Sequence, residues 1–226
     1  MKNKKKLLIP LLLLVLLVAV GGTVAWLTST SELTNNFTVG SFTEPTTDPV
    51  NPQTTLASEI APGMNNLDGN LFEKSWDARD EHKLLPGIEF DKDPYVGIGP
   101  GSEDAVVYLY VENNATNKVY FTINTGWEAV TGTFTKAGSA SGTYTSGLFK
   151  YTAGLTADDE DDVWTTTPLF SKVKVDSTAK DTDFPEGNNT KITVKSFLHQ
   201  AEDAEGTAID DTTVILPAAK LAFNLD

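Results

Sequence analysis

Residues Ala105 to Glu112 read AVVYLYVE, a run that is apolar at odd and at even positions alike. A strand shows one face at odd positions and the other at even ones, so such a run needs cover on both sides and belongs in the middle of a layered β fold. The rest of the chain supplies the same kind of material in shorter pieces. Tyr95 to Ile98, Val119 to Ile123, Leu148 to Tyr151, Val173 to Val175, Ile192 to Leu198 and Thr212 to Leu216 all read as strands. Between them lie turn signals: Pro86-Gly87, Gly99-Pro100-Gly101-Ser102 and Asn113-Asn114. Thr131 to Thr145, rich in Gly, Ser and Thr, predicts a hairpin. Helix-forming runs are few. Leu71, Phe72, Ser75, Trp76 and Arg79 lie at helical spacing after Asp68-Gly69-Asn70 and predict one short amphipathic helix. The fold class expected is mainly β: a jelly-roll-like antiparallel β-sandwich with one or two short helices and an extended N-terminal strand.

The N-terminus carries an address. Met1 to Lys6 is positively charged, Leu7 to Val20 is apolar apart from Pro10, and Gly21-Gly22-Thr23-Val24-Ala25 supplies small residues. That order is a secretory signal peptide, expected to be cut between Ala25 and Trp26 by a signal peptidase; the competing reading is an uncleaved anchor, since Leu7 to Leu27 is long enough to span a bilayer. Four of the 17 basic residues, Lys2, Lys4, Lys5 and Lys6, go with it, whereas all 31 acidic residues stay. The mature charge is therefore 13 − 31 = −18. A surface that negative repels phosphate backbones and excludes nucleic acid as a partner. Cysteine is absent, so there is neither a disulfide framework nor thiol chemistry.

The expected organisation is a signal peptide (1–25), an N-terminal strand (26–43), a Pro/Thr-rich linker (44–57) and a sandwich domain (58–226). In the N-terminal strand Leu27, Leu33, Phe37 and Val39 occupy odd positions and threonines the even ones, a period of two. The linker, EPTTDPVNPQTT from Glu44 to Thr55, holds three prolines and almost nothing apolar.

Catalytic motifs are lacking. There is no H-E-x-x-H, no G-x-S-x-G and no phosphate-cradling glycine loop. His82 and His199 stand far apart and read as surface histidines. The chain is expected not to be an enzyme and to need no cofactor. The acidic run Asp158, Asp159, Glu160, Asp161 and Asp162 could ligate calcium, but it lacks the spaced ligands of a calcium loop and reads first as a solvated turn. Trp76, Trp127 and Trp164 with Tyr108, Tyr110 and Tyr120 could stack on a glycan, although aromatics on strands more often pack in a core.

Four stretches together resemble the TasA/camelysin family of Gram-positive exported proteins. They are Gly21 to Thr28 leading to Asn36-Phe37-Thr38-Val39-Gly40; Pro86-Gly87 through Lys92-Asp93-Pro94 to Val96, then Gly101 to Val111; Thr167 to Val173; and Ile192 to Lys195 running into His199 to Glu202. Relative to that family the Pro/Thr segment looks like an insertion. The resemblance implies a secreted, biofilm-matrix or cell-surface fibre subunit that polymerises head to tail with copies of itself. An accessory matrix or anchoring protein is a further partner it implies. In such fibres the N-terminal strand of one subunit completes the sheet of the next, here with Trp26, Leu27, Leu33, Phe37 and Val39 as the inserted residues. The alternatives are a surface module that binds glycan or protein, and a secreted camelysin-like metallopeptidase.

Overall fold

The computed structural model describes residues 28–39, 41–51, 67–68, 70–75, 82–115, 117–137, 141–184 and 190–225. The signal peptide with Ala25, Trp26 and Leu27, and the linker beyond residue 51, lie outside them.

The fold is mainly β. The strands in chain order are β1 (Thr28–Val39), β2 (Leu67–Asp68), β3 (Leu71–Glu73), β4 (His82–Lys83), β5 (Glu89–Asp91), β6 (Pro94–Ile98) and β7 (Ala105–Asn113). They continue as β8 (Val119–Thr122), β9 (Trp127–Ala129), β10 (Thr135–Lys136), β11 (Thr143–Tyr151), β12 (Val163–Trp164), β13 (Lys172–Val175) and β14 (Thr190–Gln200). A large sheet runs β4-β1-β14-β7-β11-β8-β13-β5, with β9 and β10 also on β11, and a small sheet runs β12-β6-β3-β2. All described pairings are antiparallel except that of β1 with β14.

The large sheet bends at β11. Thr143 and Tyr144 pair with β8, whereas Gly147 to Lys150 pair with β7. Gly147, at φ 147°, sits at the corner, and a Cβ there would fall 2.5 Å from Cβ of Phe134, so only glycine fits. One apolar cluster then takes Val107, Leu109, Val111, Val194 and Leu198 from one limb, Val119, Phe121 and Val173 from the other, and Leu71, Val96 and Ile98 from the small sheet. This is the core of a β-sandwich.

The other face of β7 is covered differently. Tyr108, Leu148 and Phe197 form a second buried cluster with Ile215, Ala219 and Phe223. Those three belong to a π-helical turn (Asp211–Ile215) that continues as helix α1 (Leu216–Ala222), with Phe223 just past its end. AVVYLYVE is thus apolar on both faces because one faces the sandwich core and the other faces a helix.

Two expectations are corrected here. Thr212 to Leu216 is helical rather than a strand. Asp210 accepts hydrogen bonds from the amide and hydroxyl of Thr213, capping the turn, and Pro217 falls in the first turn of α1 where no amide is needed. Leu71 to Glu73 is strand β3 rather than the start of a helix. The Asn70 side chain donates to the carbonyls of Thr43 and Gly97, and the Gly97 amide donates to the Asn70 carbonyl, which holds β3 extended against β6.

Candidate functional site

β1 lies near the edge of the large sheet. It is registered on β14 from Ser29↔Thr190 to Asn35↔Ser196 and again at Thr38↔Leu198 and Val39↔His199. On its other side β4 reaches only Thr28 and Ser29. Among the described residues, positions 30–39 are paired with one strand, β14. The chain's own first strand occupies this edge.

The register breaks between Asn35 and Thr38, where two residues of β1 stand opposite Phe197 alone. This bulge changes the strict alternation read from the sequence. Leu33 is registered on Val194 and Val39 on His199, positions of different parity on β14, and Phe37 falls in the bulge.

Immediately after Gly40 the chain is tied to the sandwich. The amides of Glu103 and Gly99 donate to the carbonyls of Ser41 and Thr43, and the Thr43 hydroxyl donates to the Pro100 carbonyl. The Thr43 amide donates to Oγ of Ser102. Asp162 Oδ2 accepts from the amide and hydroxyl of both Thr46 and Thr47, at 2.7 to 3.2 Å. Asp48 is buried, caps the amides of Val50 and Asn51, and pairs with Lys74 Nζ at 2.7 Å. Burial works to raise the Asp48 carboxyl, but the Lys74 hydrogen bond and the two amides outweigh it and hold the carboxyl below its ordinary value. Of the expected linker, residues 44–51 are therefore fixed by specific bonds.

Beneath this segment sit three buried charged side chains. Lys92 Nζ lies 2.7 Å from both carboxylate oxygens of Glu73, with 1% and 0% of the two side chains exposed. The contact to Oε2 is a directed hydrogen bond, and Oε1 is equally near but off axis. Asp93 accepts from the amide and hydroxyl of Ser75 at 2.7 and 2.8 Å. Burial pushes Glu73 and Asp93 up and Lys92 down. Nothing but the Lys92-Asp93-Pro94 stretch of the family resemblance pointed here. A lysine followed directly by an aspartate, in a chain whose strands otherwise exclude charge from the core, was the available signal.

The remaining candidates fall apart spatially or chemically. In the acidic run Asp158 closes its own turn on the amides of Glu160 and Asp161, and Asp162 serves Thr46 and Thr47. With Thr46, Thr47 and Pro100, residues 160–162 line an open depression of about 300 Å³. Among the described residues no three His, Cys, Asp or Glu side chains gather in a way that could hold a metal ion. His199 is not a surface histidine. It is 6% exposed, lies against Phe197, and donates from Nδ1 to the Gln200 carbonyl at 2.7 Å. The His82 side chain and Trp76 lie outside the described residues. Trp127 is buried on Tyr151 with Nε1 bonded to the Thr167 carbonyl, Tyr108 is buried under the helix turn, and Tyr110 stacks on Phe223. Trp127 thus belongs to the sandwich cluster and Tyr108 and Tyr110 to the cluster under the helix, while Trp164 lies against Phe72. Among the described residues no helix is long and apolar enough to cross a membrane.

Searches of protein-family models, of curated proteins and of solved structures found no match to this chain.

Proposed function

We propose that the chain is an exported structural subunit, of the TasA/camelysin kind, that assembles into extracellular fibres by lending residues 28–39 to the next copy. The observation that supports this most is the contrast across Gly40. Before it, β1 is held by backbone pairing to β14, and to β4 at Thr28 and Ser29, and carries a single charge, Glu32. After it, residues 41–48 are bonded at several points to their own sandwich. A detachable strand on a fixed root is what strand exchange requires. When β1 leaves, the β14 edge from Thr190 to His199 is unpaired, and an identical strand from another copy satisfies it in the same register. The strand and its acceptor are different parts of the surface, so each addition leaves a new acceptor, and the assembly grows as a filament where the rotation between successive copies does not close.

The test compares protein beginning at Trp26 with protein beginning at Ser41 by electron microscopy. Filaments are expected from the first and none from the second. The shorter protein should also bind a synthetic peptide of residues 28–39 saturably, and that peptide should cap growth of the longer one. Filaments from the Ser41 protein, or no peptide binding by a folded Ser41 protein, would refute strand donation.

A further inference from the structure

Lys92 and Glu73 are the most unusual residues in the sandwich. They come from the β5–β6 connection and from β3, and both are sealed from water while touching through 2.7 Å contacts. Fully buried lysine is rare, and an enclosed ion pair forfeits the hydration of two charges for one attraction. Replacing the pair by a neutral group with the same reach would remove that cost. An amide between the two side chains is such a group.

We propose that Lys92 and Glu73 condense into an intramolecular isopeptide bond that staples β3 to the β5–β6 connection. Nζ lies 2.7 Å from both oxygens of the Glu73 carboxyl and so faces Cδ within the reach of a near-attack arrangement. A turn about Cγ–Cδ, a broad and soft torsion, opens the face of the carbon to attack. Burial favours the two reacting forms, a neutral amine and a neutral acid. The Nζ–Cδ bond forms and the Cδ–hydroxyl bond breaks. One amine proton leaves with the hydroxyl as water, and the other stays on the amide nitrogen. Amine plus acid gives amide plus water, so no oxidant, reductant or activating group is needed. Asp93 is the third member. It is 8% exposed, is held by Ser75, and its charge is felt by both Lys92 and Glu73. Enclosure also keeps water from reversing the bond.

The bond would close the chain between residues 73 and 92 and fix Lys74, which grips Asp48 at the root of the N-terminal arm. The inference does not rest on the fibre reading.

The experiment is intact-mass spectrometry of the folded protein followed by proteolytic mapping. The expected result is the loss of one water, about 18 Da, carried by a branched peptide that joins the Glu73 and Lys92 fragments. Lys92→Arg, which keeps the charge but cannot form the bond, should show the full mass while circular dichroism confirms its fold. Folded wild-type protein with the full mass overturns the proposal. So does a lost water that maps to another position, such as a cyclised Asp68-Gly69.

Discussion

Proline placed at two neighbouring positions of β1 should have unequal effects. Along a strand, successive residues direct their backbone amide and carbonyl to opposite flanks. Among the described residues, positions 30 to 35 are paired on the β14 flank alone, since β4 reaches only Thr28 and Ser29. Of Ser31, registered on Ile192, and Glu32, registered on Thr193, one must donate to β14 and the other must direct its amide to the opposite flank. Proline at the donating residue deletes that bond and strands a β14 carbonyl, a loss of about 1–3 kcal/mol. Proline at the other removes a donor that no described strand uses and should be close to neutral. About 1.4 kcal/mol is a tenfold change in an equilibrium, so one variant should populate a detached β1 roughly five- to 150-fold more than its neighbour. Hydrogen exchange read by mass spectrometry on the peptide covering Thr190–Gln200 measures this directly. One of Ser31→Pro and Glu32→Pro should deprotect that peptide and the other should leave it near wild type. Filament yield should follow the same order, since the pairing offered to the next copy is the same pairing. Equal exchange in the two variants would refute the one-sided ladder and with it the argument that β1 is poised to leave.

The β architecture was legible because its signals are local and redundant. AVVYLYVE, the odd-position residues of Val119 to Ile123, and the glycine and proline turns each point to strands without help from the rest of the chain. What failed was cover and context. Thr212 to Leu216 is β-branched and apolar and reads as a strand by propensity, yet Asp210 caps it and Ile215, Ala219 and Phe223 recur every four residues onto Tyr108, Leu148 and Phe197. That spacing was readable, but the surface it packs on was not. Leu71 to Glu73 is too short for any period to be decisive, and its conformation is set by Asn70 reaching Thr43 and Gly97 across the fold. The same holds for the Pro/Thr segment. Composition describes Glu44 to Asn51 as a linker, and the bonds that hold it come from Asp162 and Lys74, distant in sequence. Of the arm, the period of two announced a strand but concealed the bulge at Asn36-Phe37, which shows only against Phe197 of the partner strand. Long-range polar partners carry no signature in a single sequence, and here they decide where the segment after β1 is fixed to the sandwich.

Two further perturbations test the packing and the root. Gly97→Ala should destabilise the sandwich by about 1–3 kcal/mol, the usual cost of overpacking. A Cβ there would stand 2.4 Å from Cε3 of Trp164, and Gly97 cannot retreat because its amide and carbonyl are both bonded to Asn70. The urea midpoint should fall at constant slope, and Trp164→Ala should suppress part of the effect by clearing the space. An unchanged midpoint for Gly97→Ala would refute the close packing of Gly97 against the Trp164 ring. Acid should loosen the root before it unfolds the core. Asp48 is held below its ordinary value of 3.8 in the folded protein, so its contribution is fully present above that value and is lost as pH falls through the folded value. Protonation removes the ion pair with Lys74 and weakens the caps on Val50 and Asn51, whereas Leu109, Val111 and Phe121 in the core have nothing to titrate. Amide exchange in residues 43–51 should therefore accelerate at a higher pH than exchange in β7 and β8. Lys74→Met should bring that early loss on at neutral pH, at a cost of about 1 kcal/mol, reduced from a full charged hydrogen bond because 38% of the lysine side chain meets solvent. If the root and the core exchange together at every pH, the root is no separate unit. The boundary between arm and body would then not lie at Gly40.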